Sequence, residues 1–199
     1  MKAVRDLSGL PRHAFGTAST TWWGTLGFMA LEGCGFVLAA GAYLYLMTLA
    51  QKWPLNAPQP NYWPGTVVAV MLLVSLPLNH LLSRWAKAED LARVRWGLVG
   101  MSLLGVLPLV VRCFEFGAVN VRWDSNAYGS AVWFLLGLHS AHLLTDLGDT
   151  LVLTVLMFTR HGESGRRFSD VHDNAFYWDF VVFSWLPIYG LLYWLPRLA

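Results

Sequence analysis

Four ionisable side chains lie at helical spacing within the largely apolar segment 128–150. They are His139, His142, Asp146 and Asp149, separated by three, four and three residues. This spacing places all four on one face of a helix, as a polar stripe. Such a stripe could bind a metal ion or haem iron, pass protons, or hydrogen-bond to a neighbouring helix. Ionisable groups are unfavourable in lipid, so we expect the stripe to face protein or water.

Three further charged residues lie inside apolar runs. Glu32, in LGFMALEGCGFVLAA, falls near the middle of its run. It is either a proton-exchanging group or a neutral acid whose hydrogen bond joins two helices. Since His139 lies at a similar depth, we predict a hydrogen bond from Glu32 to His139 or His142. Arg112 and Glu115, three residues apart, predict an ion pair within one helix, or a contact with a neighbouring subunit.

The sequence disfavours metal or haem binding by the two histidines. A haem would need an axial ligand on a facing helix, and His80 is the other histidine predicted at membrane depth. The pair His139 and His142 has no third metal ligand nearby in the sequence. We therefore predict histidines satisfied within the bundle, with no metal site and no cofactor on this chain.

The composition is that of a helical integral membrane protein. Of 199 residues, 56% are hydrophobic and 13% are charged, and a soluble domain would carry about twice that charged fraction. The long apolar runs lack the alternation of a barrel, and nothing indicates nucleic-acid binding. Cys34 and Cys113 lie in apolar runs and predict buried free thiols. The polar first residues predict no cleavable signal peptide.

The apolar runs predict an all-α bundle of five transmembrane helices, in one membrane domain over residues 1–199. About 20 residues suffice to cross a bilayer, so the longer runs are expected to tilt or protrude. The predicted spans are 21–49, 63–84, 96–118, 128–158 and 176–196.

The basic residues predict the orientation of the bundle, because Lys and Arg are enriched in cytoplasmic loops. Most of them fall in the N-terminal tail and in the connections after the second and fourth spans. The N-terminus is therefore predicted inside and the C-terminus outside. We expect these arginines to attract anionic lipid head groups, with proton collection beside His13, His161, His172, Asp170 and Asp173 as the alternative. The residues of this basic side are Lys2, Arg5, Arg12, Arg84, Lys87, Arg93, Arg95, Arg160, Arg166 and Arg167.

Two of the predicted helices resemble subunit III of the haem-copper terminal oxidases, the cytochrome c and quinol oxidase family. YGS at 128–130 followed by GLHSAH at 137–142 is similar to the family's YGS and GFHGxHV. FYWDFV at 176–181, followed by Trp185 and the final pair Tyr193-Trp194, resembles the family's WYWHFVDVVW…YW. Glu32 matches the family's intramembrane carboxylate, and Glu115 the glutamate before the next outer loop. The resemblance runs from Trp22 to Trp194.

Several positions depart from the family pattern. Asp179 replaces the last-helix histidine, Val182 replaces the following aspartate, and the entry to that helix is reduced to VHD at 171–173. Asp146 and Asp149 are additions for which the family offers no role. The common form has seven helices, whereas this chain resembles only helices III–VII. Five-helix forms occur in the family.

The resemblance implies a non-catalytic subunit of an oxidoreductase complex in aerobic respiration. Such a subunit packs on subunit I, with subunit II a further partner, binds phospholipid, and supports proton uptake and complex stability. Haem and copper would reside in the catalytic subunit, and the location would be a bacterial inner membrane. Two alternatives remain. One is a subunit-III-like protein associated with nitric oxide reductase. The other is a self-contained membrane cytochrome b or proton-coupled carrier that uses His80, His139 and His142, or Glu32, directly.

Overall fold

The computed structural model describes residues 13–198. Five long helices make up most of this part of the chain. They are α1 (Thr20–Leu49), α2 (Tyr62–Lys87), α3 (Leu91–Ala118), α4 (Ala127–Met157) and α5 (Gly165–Tyr189). A π-helical turn, Gly190–Trp194, extends α5 into α6 (Leu195–Leu198). No strand occurs in this described part, which confirms the all-helical fold class. Lys2, Arg5 and Arg12 lie outside the described residues.

The helices are long enough, and mostly apolar enough, to cross a membrane. By length and hydropathy, α1, α2, α3 and the continuous run from α5 to Leu198 are candidate spans. The 31-residue α4 is not among them, since His139, His142, Asp146 and Asp149 lower its mean hydropathy. However, α4 packs against α1, α3 and α5. Its polar stripe is therefore turned towards other helices.

Side-chain caps explain where four of the helices begin. The residue before each helix accepts a hydrogen bond from a backbone N–H of the first turn, which would otherwise lack a partner. The bonds are Ser19 to Trp22 N at 3.4 Å, Asn61 to Trp63 N at 3.1 Å, Asp90 to Arg93 N at 3.1 Å, and Asn126 to Gly129 N at 2.8 Å.

The third helix begins earlier than predicted, at Leu91 rather than residue 96. Arg84 and Lys87 belong to the last turn of α2, and Arg93 and Arg95 to the first turns of α3. Hydropathy could not reveal these turns because their residues are polar, whereas the Asp90 cap fixes the helix start. The predicted basic connection is therefore a tight turn between two helices.

The last long helix also begins earlier than predicted, at Gly165 rather than residue 176. Most of the predicted polar loop 159–175 is helical. Phe168, Val171 and Ala175 are buried at spacings of three and four residues, so this extension packs through an apolar face despite its polar composition. The extension places its polar residues beside the N-terminal half of α1 and the C-terminal half of α4.

One end of the bundle, which we call the basic end, collects many of the cationic side chains. It carries Arg84, Lys87, Arg93, Arg95, Arg160, Arg166 and Arg167. Arg95 Nε donates to the Met157 carbonyl at 2.6 Å, which gives the C-terminus of α4 a cationic partner. The two predicted membrane sides thus correspond to the two ends of one bundle.

The prediction of buried thiols was wrong. Cys34 and Cys113 are both free, as expected, but they are exposed on the bundle surface. A lipid-facing position shelters an apolar thiol from water without burying it in protein, so apolar sequence context could not distinguish the two locations.

Candidate functional site

The polar stripe of α4 is divided among two buried clusters and a cavity. His139 contacts residues of α3 and α5, whereas His142 contacts Glu32 of α1. Asp146 and Asp149 line a cavity closer to the basic end. The stripe is therefore not a single row of interacting groups.

The first cluster, which we call the ion-pair cluster, contains Arg112, Glu115, His139 and Tyr193. Arg112 and Glu115 are 2% and 0% exposed, and Arg112 Nη1 lies 2.7 Å from Glu115 Oε2. The Tyr193 hydroxyl donates to Glu115 Oε1 at 2.5 Å. Arg112 Nη2 lies 3.0 Å from His139 Nδ1. The ion pair is thus within α3, and further contacts link it to α4 and the π-helical turn.

Both ring nitrogens of His139 are used by protein groups. Its Nδ1 accepts from the Arg112 guanidinium, so its Nε2 carries the hydrogen and donates to the Val181 carbonyl at 3.0 Å. The centroid of the Trp185 ring lies 4.8 Å from the centroid of the His139 imidazole and 3.9 Å from the guanidinium carbon of Arg112. The second distance permits a cation–π contact. The arrangement holds a neutral imidazole in one orientation.

The backbone of α2 approaches the ion-pair cluster at Gly65. A Cβ atom there would lie 2.5 Å from Tyr193 Cε2 and 3.0 Å from Glu115 Oε1. Real Cβ contacts are not this short, so the packing of α2 against the cluster requires glycine. The ion-pair cluster therefore also depends on α2.

The second cluster, which we call the Glu32 cluster, contains Glu32, His142 and Tyr177. Glu32 Oε1 lies 3.2 Å from His142 Nε2, and the Tyr177 hydroxyl donates to Glu32 Oε2 at 2.7 Å. Of the two histidines predicted as partners of Glu32, the structure places His142 in contact. The cluster joins α1 to α4 and α5.

The two ring nitrogens of His142 face different groups. His142 Nδ1 lies 2.6 Å from the Leu138 carbonyl, so this nitrogen carries a hydrogen and donates it. The other ring nitrogen, His142 Nε2, faces Glu32 Oε1 at 3.2 Å, an ion-pair distance. The ring thus lies between the Leu138 carbonyl and the Glu32 carboxyl group.

The two aspartates lie apart from these contacts, beside a cavity of about 680 Å³ between α1, α4 and α5. Asp146 is 2% exposed, and neither of its carboxylate oxygens has a hydrogen-bond partner among the described residues. Asp149 is exposed and lines the same cavity. Polar and apolar side chains both line this cavity, the latter including Phe28 and Leu153.

Comparisons with known proteins agree on one kind of protein. No family model matches the chain. A protein of Thermostichus vulcanus named cytochrome c oxidase subunit 3 is 23% identical over 176 residues, which cover 87% of each chain. Its namesake from Drosophila yakuba is 24% identical over 192 residues, covering 92% of this chain and 72% of that one. The protein of the same name from Loxodonta africana is 31% identical over 155 residues, which cover 69% of this chain and 58% of that one.

The chain is a divergent member of the cytochrome c oxidase subunit III family. These relatives support a haem-copper oxidase subunit III role, in agreement with the motifs at 128–142 and 176–194. Its five long helices form a multi-pass membrane bundle.

One departure from the subunit III pattern has a structural partner that the sequence did not reveal. Asp179 Oδ2 lies 3.3 Å from His80 Nε2, and Asp179 Oδ1 accepts from Asn79 Nδ2 at 2.9 Å. Nearby, Ser83 Oγ lies 2.7 Å from His172 Nδ1. The sequence offered one signal for the pairing of His80 with Asp179: each is an ionisable residue within an otherwise apolar run. These contacts join α2 to α5, so the acidic residue at 179 is accommodated by α2.

Metal ligation finds no support in the side-chain geometry. Within residues 13–198, no group of three or more His, Cys, Asp or Glu side chains is arranged to hold a metal ion. The carboxylates of the site are spread along helices rather than gathered around a point.

Proposed function

We propose that the chain is the non-catalytic subunit III of a haem-copper terminal oxidase, of the cytochrome c or quinol type, in aerobic respiration. It packs on the catalytic subunit I, with subunit II as a further partner, and binds phospholipid. It supports proton uptake and the stability of the complex. Haem and copper belong to the catalytic subunit, and the complex resides in a bacterial inner membrane with the basic end inside.

The observation that carries this proposal is the engagement of the three membrane-level histidines. Both nitrogens of His139 contact protein groups, His142 lies between the Leu138 carbonyl and Glu32, and His80 faces Asp179. A cytochrome b needs an imidazole nitrogen free to ligate iron. Histidines that join helices instead suit an accessory subunit whose bundle must stay rigid against a partner.

The basic end supports lipid binding by some of the predicted arginines. Arg84, Arg93 and Arg166 are exposed, and such side chains attract anionic head groups. Arg95 is bonded to the Met157 carbonyl, and Arg167 Nη1 donates to Asp170 Oδ2 at 2.8 Å. Arg93 Nε also lies 3.3 Å from Asp90 Oδ2. Arg84 and Arg166 are therefore the better head-group candidates, and Arg95 and Arg167 also stabilise the bundle.

An affinity-tagged chain should co-purify with a haem-copper catalytic subunit, and the separated chain should show no Soret band. The reason is that both ring nitrogens of His139 and of His142 contact protein groups. Visible spectroscopy and mass spectrometry of the purified complex make the measurement. A Soret band on the chain alone that disappears in His139→Ala would overturn the proposal. Co-purification with a nitric oxide reductase instead would assign the chain to that complex.

Substituting Glu32→Ala should weaken retention of the chain and of phospholipid in the complex, while initial oxygen reduction stays near wild type. The change removes an acceptor from Tyr177 and the partner of His142, a loss of about 1–3 kcal/mol for groups left unpaired. Quantitative lipid analysis and initial-rate oxygen consumption measure the two effects.

The matched control is Glu163→Ala, which removes an exposed carboxylate and should change neither quantity. Complete loss of initial turnover in Glu32→Ala, with the complex intact, would contradict an accessory role for Glu32 and indicate direct participation in catalysis.

A further inference from the structure

The cavity between α1, α4 and α5 reaches deep into the bundle from the basic end. Its lining includes Thr21 and Asp170 at one extreme and Glu32 at the other. At ~1.5 Å per residue, the α1 segment from Thr21 to Glu32 spans roughly 16 Å. The volume of the cavity, about 680 Å³, equals that of roughly 20 liquid water molecules. The cavity therefore has the length and volume to connect the basic end with the Glu32 cluster.

Three buried polar side chains with unsatisfied atoms line this cavity. Asp146 and Asp173 are 2% and 4% exposed, and neither carboxylate has a hydrogen-bond partner in the described part of the chain. Asn174 is 7% exposed; its amide donates to Thr150 Oγ1 at 2.9 Å, but its Oδ1 is unpartnered there. Buried acceptors need a donor. The cavity thus calls for a ligand that donates hydrogen bonds.

The charges around Asp146 narrow the chemistry of that ligand. Among the described residues of the lining, the one cation is Arg167, which already donates to Asp170. The carboxylates are dispersed, and no metal-binding group of three forms among the described residues. Water and protons match both the dispersed acceptors and the acidic lining. The titratable groups that face this region are Glu32 from α1, His142 and Asp149 from α4, and Arg167, Asp170, Asp173 and Tyr177 from α5.

We propose that the cavity is water-filled and that Asp146 is a proton-binding site within it. A hydronium ion in the cavity gives its proton to a carboxylate oxygen of Asp146, leaving water and a neutral carboxylic acid; the reverse step returns the proton. Asp146 lies one helical turn from His142, so the bound proton is held beside the Glu32 cluster. The proposal concerns this chain's own residues and does not depend on which catalytic subunit it accompanies.

Cysteine labelling tests whether the cavity contains water. In the intact complex, with Cys34→Ser and Cys113→Ser, the variant Thr145→Cys lines the cavity, whereas Leu144→Cys lies on the exposed apolar surface. A charged, membrane-impermeant methanethiosulfonate needs a hydrated thiolate, so Thr145→Cys should be labelled and Leu144→Cys should not. Equal resistance of both would overturn the proposal. So would labelling of Thr145→Cys only after lipid extraction, because an acyl chain would then fill the cavity.

Infrared spectroscopy tests whether Asp146 binds the proton. Difference spectra of the same complex across a pH titration should contain a carboxylic acid C=O band that shifts in D₂O. The band should be lost in Asp146→Asn and retained in the control Glu163→Gln, which changes an exposed carboxylate outside the cavity lining. Identical spectra for wild type and Asp146→Asn would overturn the proposal, as would a band that responds to added Na⁺ or Ca²⁺ rather than pH. Either failure leaves the co-purification result intact, so the two proposals fail separately.

Discussion

Replacing Arg112 with alanine should lower the free energy of unfolding by about 3–5 kcal/mol, because Glu115 would remain as a buried carboxylate without its cation. Both side chains are almost fully buried, with Arg112 Nη1 2.7 Å from Glu115 Oε2. The same substitution removes the donor to His139 Nδ1 and the guanidinium over Trp185. Thermal unfolding of the chain in lipid nanodiscs, followed by circular dichroism, measures the change.

A second ion pair of the chain provides the matched control. Arg122 lies 2.8 Å from Asp124 in an exposed connection, where solvent screens the charges, so Arg122→Ala should leave the unfolding temperature nearly unchanged. The double variant Arg112→Met with Glu115→Met should recover much of the lost stability, since no unpaired charge remains. Equal effects of Arg112→Ala and Arg122→Ala would contradict the burial argument.

Replacing Trp178 with alanine should also destabilise the chain by about 3–5 kcal/mol, the range for removing a large buried aromatic side chain. Trp178 is 2% exposed, and its Nε1 donates to Ser75 Oγ of α2 at 2.7 Å. On α3, a Cβ atom at Gly105 would lie 3.7 Å from the indole Cη2. The indole thus fills the space where α5 meets both α2 and α3. The same nanodisc unfolding experiment measures the loss.

Three further variants separate the sources of this effect. Ser75→Ala removes only the hydrogen-bond acceptor and should lose about 1 kcal/mol, and Trp178→Phe should fall between the two because it keeps most of the ring volume. Trp194 is 51% exposed, so Trp194→Ala should change stability little. If Trp178→Ala were no more damaging than Trp194→Ala, the packing account of α5 would be wrong.

The spacing of His139 and His142 predicted a shared helix face but not their separate partners. Three residues along a helix correspond to a rotation of about 60° and a rise of about 4.5 Å. That offset is enough for His139 to meet Arg112 of α3 while His142 meets Glu32 of α1. Which neighbour each side chain meets depends on where α1 and α3 pack, and local periodicity contains no such information.

The early start of α5 and the Asp179 contact were missed for a related reason. A search for apolar runs detects the part of a helix that lipid surrounds, but not its polar extension beyond the core, such as 165–175. Asp179 and His80 are 99 positions apart and meet only because α2 packs on α5. In contrast, Arg112 and Glu115 are local partners, so their ion pair within one helix could be predicted from spacing alone.

The local character of that ion pair has a consequence for biosynthesis. Tyr193, which donates to Glu115, follows it by 78 residues, so it emerges from the ribosome long after α3 has entered the translocon. During that interval Glu115 has its cation within the same helix, three residues away. A hydrophobic segment whose two charges neutralise each other partitions into lipid more readily than one with a lone carboxylate. Consequently α3 can be inserted before the rest of its buried polar partners have been translated.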